Sequence, residues 1–178
     1  MVGQKRAFVA QTVATLEKYK AMENHKKFMR AAINVAQKGM DCNCGGPFGA
    51  VVVKDNQILA EGYNSVTSTN DPTAHAEVVA IRKACKILDT FQLDGCTIYT
   101  SCEPCPMCLG AIYWARPDKV YFGATKEDAA AVNFDDHFIY DEIELNFNKR
   151  HIPFENLLRE DANAVFDAWK KKEDKTAY

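Results

Sequence analysis

Nowhere does this chain come near the 18 or so consecutive apolar residues that a membrane-spanning helix needs. It has no internal repeat, no low-complexity tract and no Gly/Ser linker, which leaves no basis for a solenoid or for domains on a flexible string. An excess of basic charge is missing too. Lys and Arg number 22 against 24 Asp and Glu, a formal net charge of −2. Proteins that neutralise many phosphates are usually basic, so a nucleic-acid partner is not expected. The first twenty residues lack the continuous apolar core and small-residue cleavage site of a secretory signal. Acidic residues are absent before Glu17, which keeps a transit peptide open as a second reading. The expectation is a surface extension over residues 1–21, with Ala7, Val9, Val13 and Leu16 on a weakly amphipathic helix, before a domain at 22–178. That domain is expected in the cytoplasm with reduced thiols.

The 178 residues are 47% hydrophobic and 26% charged, the balance of one soluble globular domain. Seven cysteines need an explanation. Their number is odd, and Cys102, Cys105 and Cys108 crowd together, which suits a metal or redox site better than a disulfide framework.

From Asn24 onward, helical and strand patterns alternate. A helix carrying Phe28, Ile33 and Val35 is expected to stop near Gly39, followed by a glycine-rich turn at 42–47. Apolar runs at 48–54 and 57–64 flank Asp55-Asn56, a hairpin signal. Residues 67–72 are polar punctuation. Val78, Ile81, Cys85 and Leu88 have helical spacing within 74–88. A strand is expected at 96–101, a proline-opened helix at 106–115, a strand at 119–123 and a helical turn or two at 126–132. Residues 133–144 are acidic and aromatic. Ile152 to Phe154 reads as a fifth strand, and 156–172 as a terminal helix with Val165, Phe166 and Trp169 inward. Strands interleaved with helices suggest an α/β sheet covered on both faces.

Two segments carry chemistry: His75-Ala76-Glu77 and Pro104-Cys105-Pro106-Met107-Cys108. Both fall in the first turn of an expected helix, where free N–H groups and the positive dipole end stabilise thiolates. Cys105 and Cys108 are three apart and share a helix face. Two thiolates and an imidazole hold zinc with its fourth position left for water, whose pKa falls to about 7. Glu77 is placed to take that water's proton without ligating the metal. Either motif alone is weak, and Cys102 forms an overlapping CxxC with Cys105. Together, H-x-E followed by P-C-x-x-C is a known signature of zinc-dependent nucleobase deaminases.

On these residues the chain resembles the cytidine-deaminase-like superfamily, and within it the bacterial guanine deaminases. The likeness runs from about Met22 to Tyr178. It rests on Gly45-Gly46-Pro47-Phe48-Gly49-Ala50, on residues 70–77, on Ser101 to Cys108, and on Phe134-Asp135-Asp136. The first three blocks are shared with tRNA adenosine deaminases; the Phe-Asp-Asp segment and the terminal Tyr point to guanine. The resemblance implies a three-layer α/β/α sandwich around a five-stranded mixed sheet. It also implies a homodimer whose C-terminal segment, 156–178, closes the active site, in some members from the partner subunit.

By position, the resemblance makes His75, Cys105 and Cys108 the ligands of one zinc per chain and Glu77 the proton carrier. Asn64, the Ala76 backbone and Asp136 would contact a purine, and Phe48, Trp114 and Tyr178 would line or cover it. An ionised Asp accepts only, which suits guanine's N–H edge; Asp135 is an equal candidate on spacing. The implied reaction converts guanine to xanthine and ammonia. Glu142 is a candidate for a second proton transfer. Guanosine deamination, tRNA adenosine deamination and a non-catalytic zinc scaffold are the competing readings. Among the other cysteines, Cys85 and Cys96 read as buried apolar groups, Cys102 as a neighbour of the metal, and Cys42 and Cys44 are unassigned.

Overall fold

The computed structural model describes residues 2–177, with side chains from Thr15 onward. Met1, the side chains of Ala7, Val9 and Val13, and Tyr178 lie outside the described residues. The chain divides into two compact units, one ending at Asp135 and the other starting at Asp136.

The first unit opens with α1 (Val2–Asp41), a continuous helix that passes residue 22 without a break. Phe28, Ala32 and Val35 follow the i, i+4, i+7 spacing of one helix face and pack against Val51, Val53 and Tyr99. Ile33 lies off that face and is exposed. Strands β1 (Gly49–Lys54) and β2 (Gln57–Tyr63) form the expected hairpin. Both turn residues, Asp55 and Asn56, take positive φ (49° and 59°), the geometry that matches the twist of paired strands. A short helix α2 (Val66–Thr69) leads to α3 (Ala76–Leu88), β3 (Cys96–Cys102), α4 (Pro106–Ala115), β4 (Lys119–Ala124) and α5 (Lys126–Ala130).

The strand order is β2-β1-β3-β4; β3 runs antiparallel to β1 and parallel to β4. Successive β1 side chains point to opposite faces. Ala50 and Val52 enter a core with Ala76, Ala80, Ile81, Ile98 and Ile112, while Val51 and Val53 meet α1. Helices therefore cover both faces of a mixed sheet. Glycine permits two close approaches. A Cβ on Gly49 would lie 2.3 Å from Ala36 N, and one on Gly62 would lie 2.3 Å from Ala76 O.

The second unit contains α6 (His137–Glu144), a 3-10 turn (Phe147–Lys149) and α7 (Arg159–Lys171). Arg150 organises it, stacking 4.7 Å over Phe147 and 5.1 Å over Phe154 and donating to the carbonyls of Ile143 and Leu145.

Three expectations need correction. The sheet has four strands among the described residues, because Ile152 to Phe154 is irregular chain. Pro153 has no N–H for a ladder, and Arg150 instead holds Phe154 by its ring. Val165, Phe166 and Trp169 are exposed, and no residue of α7 is buried. Cys42 and Cys44, with Cα atoms 5.3 Å apart, are joined by a disulfide, against the expectation of reduced thiols throughout.

Candidate metal centre and active site

The histidine is delivered by a tight turn. Asp71 Oδ1 accepts from the Thr73 backbone N–H (2.8 Å) and hydroxyl (2.7 Å), bonds that hold its carboxyl below the usual range. Ala74 and His75 then donate to the carbonyls of Asp71 and Thr73. His75 is left as the extended residue immediately before α3. Cys105 occupies the same position before α4, whose first residue is Pro106, and Cys108 follows within the first turn. Two helix N-termini thus carry their donors to one place. His75 Nδ1 lies 3.4 Å from Cys105 Sγ and 3.5 Å from Cys108 Sγ.

These three ligand atoms all fall within 4.8 Å of one another. Zinc bonds of about 2.0 Å to nitrogen and about 2.3 Å to sulfur, in a tetrahedron, separate donors by about 3.5–3.8 Å. The donor set, two thiols and an imidazole, suits zinc. Of the two thiols, Cys105 is the one already biased towards the thiolate. The Cys108 hydrogen bond and, behind it, His75 hold Cys105 down to about 4, while the same Cys105 contact and burial push Cys108 up. Hydrogen bonding to Cys105 raises His75. Cys102 Sγ donates elsewhere, to the Thr125 carbonyl at 3.5 Å, and is not in the group. Among the described residues, the cysteines grouped with His75 are therefore Cys105 and Cys108.

Glu77, on the first turn of α3, is buried with two differently occupied oxygens. Oε1 accepts from the Thr100 hydroxyl at 2.8 Å, and Oε2 accepts from Cys108 Sγ at 3.3 Å. Burial pushes its carboxyl up from the usual range. The carboxyl sits beside the metal donors and outside their set. Thr100 was not among the sequence candidates, although strand alternation with Ile98 and Cys102 carries a signal for it.

Asn64 is buried at the end of β2. Its Oδ1 accepts from Gly46 N (3.3 Å) and Val66 N (3.2 Å), so both donors of its amide remain for another partner. The next residue, Ser65, donates its N–H to Ala74 O at 2.9 Å, tying this strand end to the His75 turn. Ala76 is fully buried at the start of α3, and Phe48 is half-buried with its ring edge-on to Phe134 at 4.9 Å. Phe134 also escaped the sequence reading as a ring partner. Trp114 is exposed on α4. Asp136 and Glu142 belong to the second unit; Asp136 precedes α6, and Glu142 Oε2 accepts from His151 N at 2.8 Å.

Residues 22–124 match the model of the cytidine and deoxycytidylate deaminase zinc-binding region. The chain is 55% identical over 155 residues to a guanine deaminase of Bacillus subtilis, covering 87% of this chain and 99% of that one. The X-ray structure of a Bacillus subtilis guanine deaminase superposes with a TM-score of 0.85, covering 86% of this chain and 98% of the other. A guanine deaminase structure from Nitrosomonas europaea aligns with a TM-score of 0.58 at 27% identity, over 82% and 84% of the two chains. A tRNA-specific adenosine deaminase of Buchnera aphidicola is 37% identical over 84% of this chain and 91% of its own.

Proposed function

The chain belongs to the cytidine and deoxycytidylate deaminase zinc-binding family, and from that membership we propose that it deaminates guanine hydrolytically, releasing xanthine and ammonia. The observation that carries this reading is the convergence of His75, Cys105 and Cys108 with the buried Glu77 carboxyl beside them. The choice of guanine is supported by the 55% identity to the Bacillus subtilis enzyme across nearly its whole length.

His75 and the two thiolates would hold one zinc ion per chain. When bound, zinc supplies a water that is nucleophilic near neutral pH. Glu77 takes the proton of the attacking water through Oε2, the oxygen not engaged by Thr100, and passes it to a ring nitrogen as C2 becomes tetrahedral. The proton of the hydroxyl now on C2 is then moved, by Glu77 again or with Glu142 as the acid, to the amino group, which leaves as ammonia as the C2 carbonyl forms. Asn64 turns its amide N–H2 to an acceptor of the purine, because its oxygen is held by two backbone N–H groups. Asp136 accepts from guanine's N–H edge, which would oppose adenine N1 or cytosine N3, both acceptors. The Ala76 backbone, Phe48, Trp114 and Tyr178 complete the set proposed for the base.

A scaffold role is not favoured, because a structural zinc site has no need of a buried carboxyl beside its ligands. We propose a homodimer, supported by the exposed apolar residues Leu109 and Tyr113 of α4 and Val165 and Phe166 of α7, with 156–178 as the segment that closes the active site. A cytoplasmic location in purine metabolism is part of the same proposal, supported by the thiolates that zinc requires at Cys105 and Cys108, with the Cys42–Cys44 disulfide as the exception to reduced thiols.

The test measures ammonia release from guanine, guanosine, cytosine, adenine, ammeline and a tRNA anticodon hairpin. Guanine is expected to be the preferred substrate. Turnover of the hairpin alone would overturn the reading, and release from none would favour the scaffold.

A further inference from the structure

Thr100 stands on β3, an interior strand of the sheet, and donates its hydroxyl to the proposed proton carrier. Its backbone is fixed from both sides: β3 pairs Thr100 with Ala50 of β1 and with Phe122 of β4. The residue is 1% exposed and Glu77 is 5% exposed, so water does not compete for the bond between them. That bond, Thr100 Oγ1 to Glu77 Oε1 at 2.8 Å, spans 23 residues and joins the central strand to the first turn of α3.

A hydroxyl has one proton to donate. Here Thr100 spends it on Oε1, which is therefore held as an acceptor. The other oxygen, Oε2, is the one directed to Cys108, at 3.3 Å, and so to the metal donors. A free carboxyl can rotate about its last bond and present either oxygen, and that torsion is broad. Anchoring Oε1 to an immobile strand removes the freedom. It also assigns the travelling proton to Oε2, on the side where the chemistry occurs.

We propose that Thr100 is a positioning residue for the deamination, acting through Glu77 by fixing which carboxyl oxygen carries the proton. This rests on the guanine deaminase reading for the identity of the reaction, but not for the geometry it concerns. Displacement of a reacting group by about 1 Å can cost about 100-fold in rate.

The experiment compares the full-length zinc-loaded wild type with Thr100→Val and Thr100→Ser. Valine keeps the β-branched shape suited to the strand and removes only the hydroxyl, and serine restores it. Thr100→Val is expected to lower kcat by about 10- to 100-fold with KM within about threefold. Thr100→Ser is expected to recover most of kcat, and zinc content and melting temperature should not track kcat across the three proteins. Crystals of the zinc-loaded proteins supply a readout that does not depend on substrate, the orientation of the Glu77 carboxyl. It should hold a single orientation in wild type and Thr100→Ser and lose it in Thr100→Val. A Thr100→Val protein with kcat within twofold of wild type, or with the Glu77 carboxyl unmoved, overturns the proposal. Wild-type protein that releases no ammonia from guanine strikes the functional reading instead. Thr100 is then judged on the carboxyl orientation alone.

Discussion

At the scale of single residues, two buried groups have consequences that can be measured. Glu77→Gln preserves size and one hydrogen-bond acceptor but cannot shuttle a proton. It is expected to retain about one zinc per chain and to lose at least about 100-fold in kcat, the loss typical of removing general acid–base catalysis. Metal analysis beside steady-state kinetics checks both halves, and near-wild-type turnover would reassign the proton carrier. Tyr99 is a different case. Buried under α1, its hydroxyl lies 2.6 Å from His25 Nδ1, and burial, aided by Tyr121 beside it, pushes it up to about 12. An unfolded tyrosine ionises near 10. Above pH 10 the unfolded chain releases a proton that the folded chain holds, so stability is complete below pH 10 and declines as pH rises towards 12. Urea midpoints between pH 9 and pH 11.5 should fall less steeply in Tyr99→Phe than in wild type. Parallel slopes would show that Tyr99 is not the group responsible.

At the scale of elements, the site depends on how closely α3 sits on β2. Gly62 has no side chain, and a Cβ there would meet Ala76 O at 2.3 Å and Ala80 N at 2.6 Å, both backbone atoms of α3 that cannot swing aside. Gly62→Ala is expected to push the N-terminal turn of α3 outward, at a cost of about 1–3 kcal/mol. Because His75 and Glu77 ride on that turn, zinc affinity and kcat should fall with stability. Denaturation together with competitive chelator titration tests this; a variant that loses stability but binds zinc as wild type would show that the turn moves independently of the helix body. The elements themselves were largely legible. The 106–115 helix was announced by its prolines and ends where expected, and the hairpin by Asp55-Asn56 between two apolar runs. Helix α6 was not, because its apolar residues, Phe138, Ile139 and Ile143, lie among acids and line no buried face from which a period could be read. The fifth strand failed for a related reason. Two apolar residues around a proline, Ile152 and Phe154, satisfy a strand pattern without any partner to pair with.

At the scale of the whole molecule, the metal and the assembly matter most. A metal that binds the folded chain and not the unfolded one stabilises by mass action. Prolonged chelation is expected to abolish ammonia release and to lower the melting temperature by several degrees, with both restored by zinc; activity indifferent to chelation would remove the metal from the reaction. Leu109, Tyr113 and Trp114 of α4 are exposed, and so, in the other unit, are Val165, Phe166 and Trp169 of α7. Light scattering is expected to give the mass of a dimer. A monomer that retains full activity would exclude a role for the partner subunit.

The amino-acid sequence by itself determined the family and marked the candidate residues, His75, Glu77 and a cluster of three cysteines. These are written in short fixed spacings, H-x-E and P-C-x-x-C, whose geometry is set locally by the first turn of a helix. It also determined the alternation of helices and strands, since side-chain periodicity is a local property. Only the tertiary structure decided which of the overlapping cysteines faces His75, that Asn64 offers its amide N–H2 rather than its oxygen, and that Thr100 holds one oxygen of Glu77. Each of those depends on a contact between residues that are distant in the chain or on different elements. Spacing along a sequence carries no record of which two faces a sheet will bring together.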